Sequence, residues 1–201
     1  MNHTIYYWGT PDTTVSFCEK KYVNTFWIAE YYNTVSALSY IIFGSLFLFT
    51  KIKNIGFTMI FLGCSTMMMH GTLRYYGQWL DECSMLILSY SAIQLIHKYY
   101  SNKIYYFIII YYYFIKEYFI VFFLTFASMQ IYITYSTYKK HLSNAQIIFI
   151  KLYVISFILG TICWFIDQYL CKHIGDIPFH AAWHIFSAFG MFYGFVSFLI
   201  I

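Results

Sequence analysis

The sequence predicts an all-α fold, a bundle of seven transmembrane helices. Three observations lead there. The 201 residues are 61% hydrophobic and only 10% charged, with a mean hydropathy of +0.60, so a soluble domain is excluded. The apolar residues gather in runs of about 20, the length an α-helix needs to cross a bilayer. The runs lack the strict alternation of barrel strands, despite their many β-branched and aromatic residues.

The N-terminal stretch, Met1 to Thr14, has no basic region followed by an apolar core. It does not read as a cleaved signal peptide. The spans follow at 31–50, 55–73, 79–97, 100–115, 118–138, 145–167 and 179–199. The fourth is the weakest, being short and ending at Lys116-Glu117. The whole chain, 1–201, reads as one membrane domain, with 1–30 a lumenal segment and 31–201 the bundle. It stops almost at the end of the seventh span, so no cytosolic tail domain is expected.

Basic residues set the orientation. Loops after the odd spans hold Lys51, Lys53, Lys98, Lys103, Lys139 and Lys140, whereas loops after the even spans hold Arg74, Lys116 and Lys172. The positive-inside rule puts the odd loops in the cytosol. The N-terminus is then lumenal and the C-terminus cytosolic, in an endoplasmic reticulum or Golgi membrane. The net charge of +4 is spread singly or in pairs and forms no nucleic-acid stripe.

This topology delivers polar residues to one depth. Span 2 ends near His70, span 3 opens near Asp81, and span 7 opens with His180 and His184. Intramembrane ionisable groups are costly and are usually functional. His180 and His184 share a helical face at i and i+4, so both rings can reach one metal. With His70 they make a three-His zinc set near the lumenal face, leaving a fourth position open. The pair can equally be two polar residues bonded to carbonyls within a bundle. Asp81 reads either as an acid beside the metal or as an interfacial N-cap, with Glu82 helping the helix dipole. Thr66 lies four residues before His70, and its hydroxyl can simply bond back to its own helix. Asp167 can orient a ligating His or cap its helix. Cys64, Cys83 and Cys163 read as apolar packers. His3, His97, His141 and His173 have no partner pattern.

The chain resembles the alkaline ceramidase family, within the wider group of seven-helix membrane hydrolases that includes adiponectin-receptor-like proteins. The matching pieces are Tyr7-Trp8-Gly9, Cys18-Glu19, Ile28-Ala29-Glu30 with Asn33-Thr34-Val35-Ser36, and His70-x-Thr72-Leu73. Leu80-Asp81-Glu82, Trp164-x-Ile166-Asp167 and His180-Ala181-x-Trp183-His184 follow in the same order, covering nearly the whole chain. The resemblance implies that His70, His180 and His184 ligate zinc, that Asp81 activates the attacking water, and that Thr66 stands where the family usually has Ser. It implies a ceramide substrate, split at its amide into a sphingoid base and a fatty acid, and no protein partner. It also implies a Cys18–Cys171 disulfide. Two other readings remain: a seven-helix lipid sensor that kept its zinc, and a related membrane lipid esterase.

The family's N-terminal segment binds calcium through Asp, Asn and two Glu side chains and a backbone carbonyl. Here the corresponding positions are Ser16, Phe17, Glu19, Lys21 and Glu30. Ser16 and Lys21 replace the Asp and the Asn, and an ammonium opposes a cation. Calcium binding is therefore expected to be lost or very weak, with Lys21 placed between Glu19 and Glu30 in its stead.

Overall fold

The computed structural model describes residues 6–99, 103–115, 118–140 and 142–200. His3, Lys116 and His141 lie outside them. Among the described residues the chain is helical and has no strand. The elements are α1 (Tyr31–Ser36), α2 (Leu38–Phe47), α3 (Lys53–Thr72), α4 (Tyr75–His97), α5 (Lys103–Ile115), α6 (Phe119–Tyr138), α7 (Asn144–Tyr169), α8 (Cys171–Ile174) and α9 (Phe179–Val196).

Each expected span overlaps a helix, with local departures. The first is broken at Ala37. Ser36 and Ser39 donate back to the carbonyls of Asn33 and Ser36, at 2.9 and 2.7 Å, the kind of local bond that loosens a helix. The helix of the third span, α4, begins at Tyr75, a turn before the expected start at 79. Its first turn is held by Asp12, whose Oδ1 accepts from the Tyr75 amide at 2.5 Å while Oδ2 pairs with Arg74 at 3.0 Å. α7 opens on a capping box between Ser143 and Gln146.

Span counting gives less than the sequence reading expected. Among the described residues, two helices are long and apolar enough to cross a membrane by themselves, α6 and α7. The others fall short for identifiable reasons. α1, α2 and α5 are short, whereas α3, α4 and α9 carry the His, Asp, Glu and Gln residues that meet at one end of the bundle.

Those helices pack tightly. A Cβ on Gly44 would lie 2.9 Å from the Gly56 carbonyl oxygen, and one on Gly77 would lie 2.8 Å from the Met69 Cα. So α2 meets α3, and α3 meets α4, at backbone distance. A first apolar core joins α2, α3, α4 and α9 through Tyr40, Phe47, Met59, Leu62, Leu88 and Met191. A second joins α4, α5, α6 and α9 through Leu86, Tyr112, Phe122, Phe126 and Trp183. The outer face is strongly apolar: Phe49, Phe57, Ile131, Ile155 and Ile158 are all exposed, while Glu30, Gln78, Asp81, Glu82 and Asp167 are buried.

Candidate metal centre

The polar end of the bundle is built from α3, α4, α9 and the segment before α1. His70 stands in the last turn of α3, next to a sharp turn at Leu73, whose backbone is left-handed (φ 53°). His180 and His184 stand in the first two turns of α9. All three rings are buried. One ligand atom from each lies within 4.8 Å of the other two, and the ring centroids are 4.5 to 5.0 Å apart.

Each ring is held from behind. His70 Nδ1 is 2.7 Å from Glu30 Oε2, and the Glu30 amide donates to the His70 carbonyl at 3.0 Å. His184 Nδ1 is 3.1 Å from the Asn33 carbonyl and 2.8 Å from the Ser36 hydroxyl. The backbone amide of His180 donates to Asp167 Oδ2 at 3.0 Å, and Phe17 stacks on the His180 ring at 3.8 Å. Asp167 therefore anchors the start of α9 through the main chain rather than orienting a His ring. Its Oδ1 also accepts from the Cys18 amide at 3.0 Å.

Among the described residues, His70 Nε2 and His180 Nδ1 are buried without a hydrogen-bond partner. A buried polar atom left unpaired costs about 1–3 kcal/mol. Three imidazoles, two with Nδ1 held by an oxygen partner and each set in place by neighbouring groups, form the donor set that first-row divalent metals favour. The residues present fit a metal ion held by His70, His180 and His184.

Asp81 is buried in the second turn of α4. The helix begins at Tyr75, so Asp81 is no N-cap, and Glu82 is buried rather than facing solvent. The Thr66 hydroxyl lies within reach of both the Leu62 carbonyl, at 2.8 Å, and Asp81 Oδ1. Its single proton serves one acceptor, and an ionised carboxylate is the stronger. Asp81 and His180 line a common cavity of about 50 Å³ with Phe17, Glu82 and Gln168. That cavity shares Met85, Phe119, Phe122 and Trp164 with a second one of about 710 Å³, almost wholly apolar, lying between α6 and α7.

The segment before α1 forms a lid over this end. A disulfide joins Cys18 to Cys171, with Cα atoms 5.2 Å apart. With Asp167 nearby the two sulfurs form a second cluster of metal-ligand residue types, but disulfide sulfurs are not thiolate ligands. The Glu19 carboxylate accepts from the amides of Tyr32 and Asn33, at 2.7 and 2.9 Å, capping α1. Burial pushes the Glu19 carboxyl above its ordinary value, against the pull of those amides. Burial would also raise Glu30, but the His70 ring and the Lys21 ammonium outweigh it and hold that carboxyl below its ordinary value. Lys21 Nζ sits 2.9 Å from Glu30 Oε1 and 2.8 Å from the backbone carbonyl of Glu19. It thus sits between Glu19 and Glu30, meeting Glu19 through the main-chain carbonyl rather than the carboxylate. Among the described residues Ser16 has no side-chain bond, and its carbonyl accepts from Gln168 at 3.3 Å.

A family model described as Ceramidase matches residues 9–201. The chain belongs to the ceramidase family. It is 27% identical over 220 residues to an alkaline ceramidase of Arabidopsis thaliana, covering 92% of this chain and 82% of that protein. It is 26% identical over 216 residues to alkaline ceramidase 1 of Mus musculus, covering 93% and 79%. A putative alkaline ceramidase, dcd3A, of Dictyostelium discoideum is 25% identical over 252 residues, covering 96% and 87%.

Sequence reasoning had missed several members of this ceramidase-family site. Gln78 ties the lid to α4: its Oε1 accepts from the Thr14 amide at 2.7 Å, and its Nε2 donates to Glu82 at 2.9 Å. Phe17 was read only as a calcium position, yet its ring covers His180 and lies 5.0 Å from His70. Ser36 and Asn33 were read as parts of a motif, not as the partners of His184. A polar residue in a helix four residues ahead of a buried acid, as Gln78 is to Glu82, was the available signal for the first.

Proposed function

We propose that this protein is a zinc-dependent amidohydrolase that splits the amide of ceramides into a sphingoid base and a free fatty acid. The observation that carries this reading is the convergence of His70, His180 and His184 beside Asp81, in a chain of the ceramidase family. The relatives named alkaline ceramidases supply the substrate class.

An amide is a poor electrophile. When bound, zinc supplies an activated water and polarises the substrate carbonyl. The chain's own residues do the rest. His70, His180 and His184 would hold the metal. Asp81 takes a proton from the attacking water and later hands it to the leaving amine nitrogen. Thr66 keeps the Asp81 carboxylate aimed. With Asp81 protonated, its hydroxyl is free to donate to the developing oxyanion, a contribution worth about 3 kcal/mol in other enzymes.

The 710 Å³ cavity suits the two aliphatic chains of a ceramide. It shares Met85, Phe119, Phe122 and Trp164 with the small cavity that Asp81 lines, so this reading sets the amide at Asp81 and the chains against Phe122, Phe126, Phe157 and Ile162. The chain is one membrane domain of seven spans, the first formed by α1 and α2. Its apolar outer face and buried acids suit lipid as solvent. The site end faces the lumen. Cys18–Cys171 requires an oxidising compartment, and Lys51, Lys53, Lys98, Lys139 and Lys140 gather at the other end. An endoplasmic reticulum or Golgi membrane meets both conditions. A lipid sensor would gain nothing from a carboxylate held by Thr66 beside the metal, which favours turnover over binding alone.

The test is fatty-acid release from a panel of ceramides by purified protein in detergent. Wild type should release fatty acid, and His184→Ala should lose both release and zinc. Zinc retained without release from any ceramide would sink the ceramidase reading.

A further inference from the structure

Lys21 is surrounded by acceptors. Its ammonium lies 2.5 Å from the Phe17 carbonyl, 2.8 Å from the Glu19 carbonyl and 2.9 Å from Glu30 Oε1. Two are hydrogen bonds to backbone carbonyls and the third is an ion pair. The Glu30 side chain is fully buried, and the Lys21 side chain is 28% exposed. A buried carboxylate without a counter-charge is strongly destabilising, and Lys21 supplies the counter-charge.

The other Glu30 oxygen is the one that holds His70, at 2.7 Å, and it also accepts from Asn33 Nδ2 at 3.0 Å. A carboxylate behind a ligating His fixes its tautomer and orientation. Phe17, whose carbonyl holds the ammonium, lays its ring on His180. One cation thus braces two of the three rings, one through a carboxylate and one through a peptide unit.

Calcium does not fit this clip. It requires six to eight oxygens at about 2.3–2.6 Å. The Glu19 carboxylate is turned to the Tyr32 and Asn33 amides, Ser16 brings no carboxylate, Glu30 Oε2 is taken by His70 and Asn33, and the Phe17 and Glu19 carbonyls and Glu30 Oε1 already face an ammonium.

We propose that Lys21 is a positioning residue, a covalently tethered cation that holds Glu30 against His70 and organises the three-His site without calcium. This rests on His70 being a metal ligand, as in the reading above. The experiment measures zinc affinity of full-length protein in detergent, by competition with a chromophoric chelator, with calcium and with a calcium-selective chelator. Wild type should give one affinity in both conditions. Lys21→Met should bind zinc about 10–100-fold more weakly, the usual loss when a partner of a ligating His is disturbed, and Lys21→Arg should recover most of it. A purely structural role would lower the thermal midpoint yet leave the zinc affinity of the folded protein unchanged.

A cycle with Glu30→Gln guards against a misfolded single variant. In the Glu30→Gln background the buried charge is gone, so adding Lys21→Met should weaken zinc binding no further. A further loss of tenfold or more would overturn the proposal. So would a Lys21→Met affinity within about threefold of wild type, or a wild-type affinity that rises with calcium. Wild type that binds no zinc at all would instead overturn the metal reading on which the proposal rests.

Discussion

Asp81→Asn is the sharpest test of the chemistry. Asn matches Asp in shape, and its amide oxygen can still accept the Thr66 hydroxyl that now meets Asp81 Oδ1. The substitution therefore spares the packing of α3 against α4 and removes only the ability to take a proton. General acid–base catalysis contributes about 10²–10⁴-fold, and each tenfold is about 1.4 kcal/mol of barrier. The expected loss is thus about 3–5 kcal/mol, carried by kcat. Zinc content should not change, since Asp81 is not one of the three converging rings. The assay pairs fatty-acid release at saturating ceramide with metal analysis of the same sample. A kcat within tenfold of wild type would refute the role given to Asp81. Loss of zinc along with activity would refute it differently, by making Asp81 a ligand. Thr66 supplies the companion result. Thr66→Ser keeps the hydroxyl and should stay within about threefold, while Thr66→Val leaves a buried carboxylate short of a donor, a loss of about 1.5–3 kcal/mol or roughly tenfold to a hundredfold.

Three further outcomes follow from the packing. Cys18→Ser should abolish the mobility difference between reduced and non-reduced protein; with a sequence separation of 153 the chain-entropy ceiling is about 5 kcal/mol, less where a bilayer already confines the unfolded chain, and an unchanged thermal midpoint would argue that the lid contributes no stability. Ala127→Phe adds a ring to the wall of the large cavity and should shift preference toward shorter acyl chains, seen as a lower kcat/KM for long-chain ceramides relative to short ones; an unchanged profile would place the acyl chain elsewhere. Gly77→Val should push α4 away from Met69, where even a Cβ would sit 2.8 Å from backbone, and should lower zinc occupancy through the adjacent His70; full occupancy would show that the crossing tolerates the strain.

The sequence made the constellation legible because two simple periodicities suffice. The i, i+4 spacing of His180 and His184 puts both on one face of α9, and alternating spans return His70 and Asp81 to the same end. What it hid depends on contacts across the chain. The start of α4 at Tyr75 was obscured because Tyr75 to Gln78 hold no aliphatic side chain, and the partners of Tyr75 and Gln78, Asp12 and Thr14, come from more than sixty residues away. The division of Glu19 between a side chain that caps α1 and a carbonyl that holds Lys21 has no local signature. Neither has the 710 Å³ cavity between α6 and α7. It arises from how two uniformly apolar helices are set apart, whereas their composition only says that they are apolar. The exchange of the family's Asp and Asn for Ser16 and Lys21 was legible in the sequence; the path from the ammonium through Glu30 to His70 was not.

The helices that read as membrane spans and the helices that carry the site are different sets, for a physical reason. A polar residue lowers the apolar transfer energy of its own helix, by about 2.5–3.5 kcal/mol for a central Asp on an insertion scale. α3, α4 and α9 bear that load, and α6 and α7 carry little of it. The load is tolerable because it is confined to one end and because the neighbours satisfy it: Glu30 holds His70, Thr66 holds Asp81, and Asp167 holds the start of α9. The unloaded pair, α6 and α7, is then free to separate and line an apolar cavity. Hydropathy alone therefore finds the helices that line the apolar cavity and passes over those that carry the three His and Asp81. Buried ring nitrogens without partners, His70 Nε2 and His180 Nδ1, mark where the second set converges.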